Sequence, residues 1–76
     1  MSETMLDLKG LLCPMPVVKI AQAIKTVAVG ESIEAVATDP GVLADIPAWA
    51  RSTGNELVVI EKKDNKEYRF VVKRLK

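Results

Sequence analysis

The apolar residues of this chain change period along its length, and that change restricts the fold more than any other feature. Met5 and Asp7 alternate with Leu6 and Leu8 across Thr4 to Leu8, a two-residue period that reads as a short strand, broken by Gly10. Val17, Ile20, Ala21, Ile24, Val27 and Ala28 then follow at helical spacing, with Lys19, Gln22, Lys25 and Thr26 on the outer face and Gly30 as the stop. Ser32 to Thr38 returns to alternation, with Ile33, Ala35 and Ala37 on one face. Asp39-Pro40 is an N-cap followed by a proline shaped for the first helical position, and Val42, Leu43, Ile46, Trp49 and Ala50 form a second helical stripe ended by Gly54. Pro47 should kink that helix or split off its first turn. Asn55 to Glu61 is a third strand, expected to be largely buried because of its β-branched run. Lys62 to Lys66 is a charged turn, and Glu67 to Leu75 is a fourth strand hairpinned to the third.

The order β-α-β-α-β-β specifies an α/β fold. It is a two-layer sandwich in which one four-stranded mixed sheet carries two helices on one face, because β-α-β crossovers keep one hand. The other face is then a candidate for self-association, with Val36 on it. Trp49 is expected in the core or at its edge, and Tyr68 and Phe70 are expected to pack beneath a helix or on the sheet.

Seventy-six residues support one domain with one small core, so residues 1–76 are read as a single unit. A chain of this size has little room for a deep cavity. With 49% hydrophobic and 28% charged residues it reads as globular. Lysine plus arginine number 11 and aspartate plus glutamate 10, a net charge of +1 that argues against a dedicated nucleic-acid binder. The start of the chain lacks a basic-then-apolar leader and no apolar run could span a bilayer, so the expected location is cytoplasmic, without membrane association.

Cys13 is the only cysteine, and there is no histidine. An internal disulfide, a Cys/His metal site and a Cys-His catalytic pair are all excluded, and no cofactor is expected. Free cysteines usually fill core, but this one stands in Cys13-Pro14-Met15-Pro16, where a helix is about to begin. Pro14 holds Cys13 in extended, cap-like backbone, and two early helical amides are deleted by proline. Those of Met15 and Val17 are left to face the sulfur and favour the thiolate. Met15 also precedes a proline, so the helix starts at Pro14 or at Pro16, and the second choice weakens the dipole effect.

Leu6-Asp7, Gly10-Leu11, Cys13-Pro14-Met15-Pro16, Gly30-Glu31, Asp39-Pro40 and Asp45-Ile46-Pro47 together resemble the TusA/SirA family of small sulfur-carrier proteins. The resemblance covers nearly the whole chain and implies a sandwich like the C-terminal domain of translation initiation factor 3. It also implies that Cys13 carries sulfane sulfur as a persulfide. Pro14, Met15 and Pro16 would shape the helix start, and Gly10 would let the loop turn beside the thiol. Leu12, Lys19 and Asp39 are candidate docking residues, with Leu11 and Met15 at the same edge. The position before the cysteine is often basic in the tRNA-thiolation branch and here is Leu12, so the general role is better supported than any one pathway.

The function so implied is a sulfur relay, sulfurtransferase-like but without a complete catalytic site of its own. A cysteine desulfurase or rhodanese-type donor would pass sulfur to Cys13, and an acceptor protein thiol would remove it. The pathway is one such as tRNA thiolation, cofactor synthesis, sulfur oxidation or selenium handling. The carrier would be a monomer or weak homodimer. The alternative is a non-catalytic regulatory or RNA-binding module of the same fold, using the basic residues Lys62, Lys63, Lys66, Arg69, Lys73, Arg74 and Lys76.

Overall fold

A computed structural model describes residues 4–12, 14–63 and 66–76. Cys13, Asp64 and Asn65 lie outside the described residues, and so do the first three. The elements are β1 (Thr4–Leu8), α1 (Met15–Ala23), a 3-10 segment (Ile24–Thr26), β2 (Ser32–Ala37), α2 (Val42–Thr53), β3 (Glu56–Lys62) and β4 (Tyr68–Lys73). The sheet order is β1-β2-β4-β3, with β1 parallel to β2 and both β2 and β3 antiparallel to β4.

Alternation in the strands builds the core directly. Leu6, Ala35, Phe70 and Ile60 are cross-strand partners, and so are Leu8, Ala37 and Tyr68 one step along. These side chains join Ile20, Ile24, Val42 and Ile46 from the helices in one buried cluster, so both helices cover the same face. Two fully buried alanines on β2, Ala35 and Ala37, leave space for the large Phe70 and for the helices above. Trp49 packs against the edge of this cluster, and Tyr68 and Phe70 are buried in it, all as expected.

Five expectations need correction. β3 is not buried: Val58 is 53% exposed, and the pairing with β4 is irregular between Leu57 and Val59. The β-branched run misled because β4, not β3, pairs with β2, which leaves β3 at the sheet edge. A bulge there turns one extra residue out of the ladder. Leu43 is 46% exposed although its spacing placed it in the stripe.

α1 ends at Ala23, not near Ala28. The Thr26 hydroxyl donates to the Ala23 carbonyl at 2.6 Å, and Val27 enters the core from extended backbone while Ala28 is exposed. Gly30 therefore does not stop the helix. Its N–H donates to the Arg74 carbonyl at 2.7 Å, extending the pairing toward β4.

Pro47 does not split α2, which runs continuously from Val42 to Thr53. The missing amide would have served Leu43, on an exposed turn where water can take its place. Ahead of the helix, the Asp39 carboxylate accepts the Gly41 N–H at 3.1 Å, and Val42 and Leu43 donate to the Asp39 and Pro40 carbonyls. Asp39 thus caps a tight turn that feeds the helix. At the other end Gly54 has φ +79°, and Asn55 N–H donates to the Ala50 carbonyl at 2.9 Å, a Schellman closure.

The uncovered face carries Met5, Asp7, Glu34, Val36, Val59, Glu61, Arg69, Val71 and Lys73, in agreement with the placement of Val36. It is not an apolar sheet. Arg69 donates to Glu34 at 2.6 Å and to Glu61 at 3.2 Å, spanning three strands. The hydrogen bond to Glu34 is the main reason that its guanidinium holds its proton even more firmly than usual.

Candidate functional site

β1 and β2 are parallel and each is followed by a helix that runs back over the sheet, so their C-terminal ends open at one edge of the molecule. In open α/β sheets this is where sites assemble, because chain connections and helix N-termini converge there. Residues 9–12 and Pro14 lie at that edge, and so does the segment 38–41.

Hydrogen bonds from successive backbone amides fix the path of the first loop. Lys9 N–H donates to the Asp7 carboxylate at 3.0 Å, Gly10 N–H to the Thr38 hydroxyl at 2.9 Å, and Leu11 N–H to the Leu8 carbonyl at 3.3 Å. Met15 N–H donates to the Leu12 carbonyl at 2.8 Å, closing a turn from residue 12 to residue 15. Gly10 has φ +84°, in the left-handed region. Nothing lies within 4 Å of where a Cβ would stand, so glycine is required by backbone conformation and not by space. Gly10→Ala is expected to cost about 1–2 kcal/mol, read as a lowered urea midpoint with unchanged slope.

The choice between two helix starts resolves to neither. Met15 is the first helical residue, and Pro14, at φ −97° and ψ 14°, is the flanking residue. The N-cap position expected for Cys13 is therefore held by Pro14. The Met15 amide, expected to face the sulfur, is spent on Leu12. The turn wins because it satisfies a donor that Pro16 does not obstruct. Pro16 is fully buried and anchors the first turn, whereas Pro14 is exposed. α1 has no acidic residue in its first turn to oppose an anion there.

Exposed apolar side chains surround this edge. Leu12 is 73% exposed and Met15 40%, with Val18 and Leu43 also open. Lys19 is exposed on the α1 turn after Met15, and Leu11 packs against the core. Leu12, Met15 and Lys19 therefore share an outward surface next to the loop. Asp39 stands at the same sheet edge but is half-buried, with its carboxylate turned to its own loop. It shapes the surface more than it presents charge.

Thr38 was not legible as a site residue. Its signal is position: a hydroxyl ending the strand adjacent and parallel to β1, where it reaches across 28 residues to the Gly10 amide. Thr38→Val is expected to raise hydrogen exchange at the Gly10 amide several-fold, and Thr38→Ser to restore it. Among the described residues no cluster of three or more metal-ligating side chains occurs, and no helix is long and apolar enough to cross a membrane.

This α/β sandwich superposes on the crystal structure of a SirA-like protein from Desulfitobacterium hafniense with a TM-score of 0.83, covering 96% of this chain and 99% of that one. At 18% identity that likeness concerns the fold alone. Residues 4–74 match the family described as Sulfurtransferase TusA, and the chain belongs to that family. It is 35% identical over 69 residues to sulfur carrier protein TusA of Allochromatium vinosum, covering 91% of this chain and 90% of that protein. With sulfur carrier protein TusA of Pseudomonas putida it shares 38% identity over 56 residues, covering 74% and 70%. Other relatives are longer. The chain spans 34% of a protein from Aquifex aeolicus, at 40% identity, and 30% of one from Bacillus subtilis, at 52%.

Proposed function

We propose that this protein is a sulfur carrier in which Cys13 accepts sulfane sulfur from a donor protein and hands it to an acceptor thiol. Membership of the TusA family across residues 4–74, with Cys13-Pro14-Met15-Pro16 inside the match, is the observation that carries this reading. Relatives named as sulfur carriers support it.

The chemistry is thiol exchange and is redox-neutral. The Cys13 thiolate attacks the terminal sulfur of a donor persulfide. A new S–S bond forms, the donor's own S–S bond breaks, and the donor cysteine leaves as thiolate. An acceptor thiolate then attacks the outer sulfur, and Cys13 departs as thiolate. With no second cysteine in the chain, no internal disulfide can expel the sulfur as sulfide, so it must leave to another molecule.

What the described residues contribute is presentation. The loop is pinned at Lys9, Gly10 and Leu11, and the turn is closed by Met15, so the residues flanking position 13 are ordered before any partner arrives. Pro14 and Pro16 limit backbone freedom further. Leu12 and Met15 supply apolar surface, and Lys19 one positive charge, for a partner to cover.

Incubation with a cysteine desulfurase and cysteine tests the proposal by intact mass. The chain should gain one sulfur atom, removable by thiol reductant and transferable to a second thiol protein; an unmodified mass would overturn it. Leu12→Asp should slow protein-to-protein transfer at least about tenfold while stability changes by less than about 0.5 kcal/mol, because the side chain is exposed. Loading from inorganic polysulfide should be unaffected, which separates docking from reactivity.

The alternative RNA-binding reading gains nothing from the geometry. Its basic residues are dispersed. Lys62, Lys63 and Lys66 lie at the site edge of the sheet, and Lys73 lies on the open face. Arg69 is ion-paired, and Arg74 and Lys76 lie at the opposite end.

A further inference from the structure

The end of the molecule remote from the 9–12 loop holds a cleft of about 370 Å³ lined by Ala21, Ile24, Lys25, Trp49, Thr53, Asn55, Arg74 and Lys76. Three of these residues are cations and none is an acid. Both ion pairs among the described residues belong to Arg69, so within those residues Lys25, Arg74 and Lys76 have no side-chain carboxylate partner.

Helix C-termini often gather cations simply to compensate their carbonyls. Here that task has other donors. Gly54 and Asn55 amides and the Thr53 hydroxyl serve the last turn of α2, the Thr26 hydroxyl serves Ala23, and Arg74 Nη1 serves the Val27 carbonyl at 2.6 Å. Arg74 Nε donates to the Lys76 carbonyl at 2.7 Å, so the guanidinium is fixed in place. Asn55 is also fixed, accepting the Leu75 amide at 3.1 Å and donating to Thr53 at 3.0 Å. Among the described residues, the Lys25 and Lys76 ammonium groups have no acceptor, and both residues line the cleft.

We propose that this cleft binds a small ligand that joins a flat ring to a phosphate, of mononucleotide size. The volume lies at the low end of the range for small-molecule sites, about 300–1,000 Å³, which fits one such molecule and not a polymer. Trp49, Ala21 and Ile24 form the apolar part of the wall, and stacking of a base on an aromatic side chain is worth about 1–3 kcal/mol. The ammonium groups and the anchored guanidinium supply charge-assisted donors for the phosphate. The site is independent of Cys13 and of the sulfur-carrier reading.

Trp49 is the only tryptophan, so its fluorescence reports on this cleft alone. Titration with AMP should give a saturable change, weakened by added salt. Adenosine and ribose 5-phosphate should each bind at least about tenfold more weakly, since each lacks one half of the recognition. The Lys25→Ala/Lys76→Ala double variant should weaken AMP about tenfold with an unchanged thermal melt, and Cys13→Ser should bind as the unaltered chain does. In the unaltered protein, AMP should shift backbone amide resonances at residues 21–25, 49–55 and 74–76 and leave residues 9–18 in place. The proposal is overturned if there is no saturable AMP signal, if adenosine or ribose 5-phosphate binds as well as AMP, if the double variant is indifferent, or if the shifts lie elsewhere.

Discussion

Cys13→Ser is expected to abolish sulfur loading completely while leaving the protein folded. The effect is all-or-none because the chain contains no other thiol and no histidine that could bind sulfur in its place. Serine keeps the size of the side chain, but its alkoxide is inaccessible near neutral pH and cannot form the S–S bond on which the exchange depends. Intact mass after donor treatment should show one added sulfur on the unaltered chain and none on the variant, with matching circular dichroism for the two. Equal labelling of the variant would place the sulfur on some other group and end the proposal. A mixed disulfide trapped between Cys13 and a donor or acceptor, absent from the variant, would identify the partner directly.

Phe70→Ala should have the largest effect on stability, about 3–5 kcal/mol, because it removes a large side chain from a site with no access to solvent. Domains are stable by about 0.05–0.15 kcal/mol per residue, so the loss is a large share of what a chain this short possesses. Phe70 sits on β4, between Ala35 of β2 and Ile60 of β3. Its neighbour Ala35 is too small to relax into the gap. Urea denaturation should show a much lower midpoint, and the variant should be partly unfolded at 37 °C. Val58→Ala is the contrasting case: the side chain is half-exposed at the β3 bulge, and the change should stay within about 0.5 kcal/mol. Equal losses at the two positions would mean that the core is not organised around β4.

The elements that alternate cleanly were readable from sequence. β1, β2 and β4 place Leu8, Ile33, Ala35, Ala37, Phe70 and Val72 in the core on the period-two rule alone. The order of strands was not readable, because hairpin and crossover signals do not say which strand becomes an edge. A β-branched run such as 57–60 suits either position. Helix boundaries shifted where side-chain hydroxyls competed for backbone groups, as Thr26 does at the end of α1. The motif at Cys13 to Pro16 pointed to this edge as the candidate site, and Gly10, expected to let the loop turn, has the positive φ that such a turn needs. The bond from Gly10 to Thr38 was hidden because it joins segments 28 residues apart, and only the parallel pairing of β1 with β2 brings them together.

The sheet order bears on how the molecule assembles. The β3–β4 hairpin needs only a short loop to close, whereas β1 is an outer strand whose one neighbour, β2, arrives after an intervening helix. Closing the longer loop costs more entropy and returns pairing on one side only. Partial opening of the native protein should therefore begin at β1 and leave the hairpin intact. Since the 9–12 loop hangs from the end of β1, a partner that grips it gains a handle on the least cooperative part of the fold. Release of that partner would let the strand settle back without global refolding, and β1 amides should exchange with solvent well before those of β4.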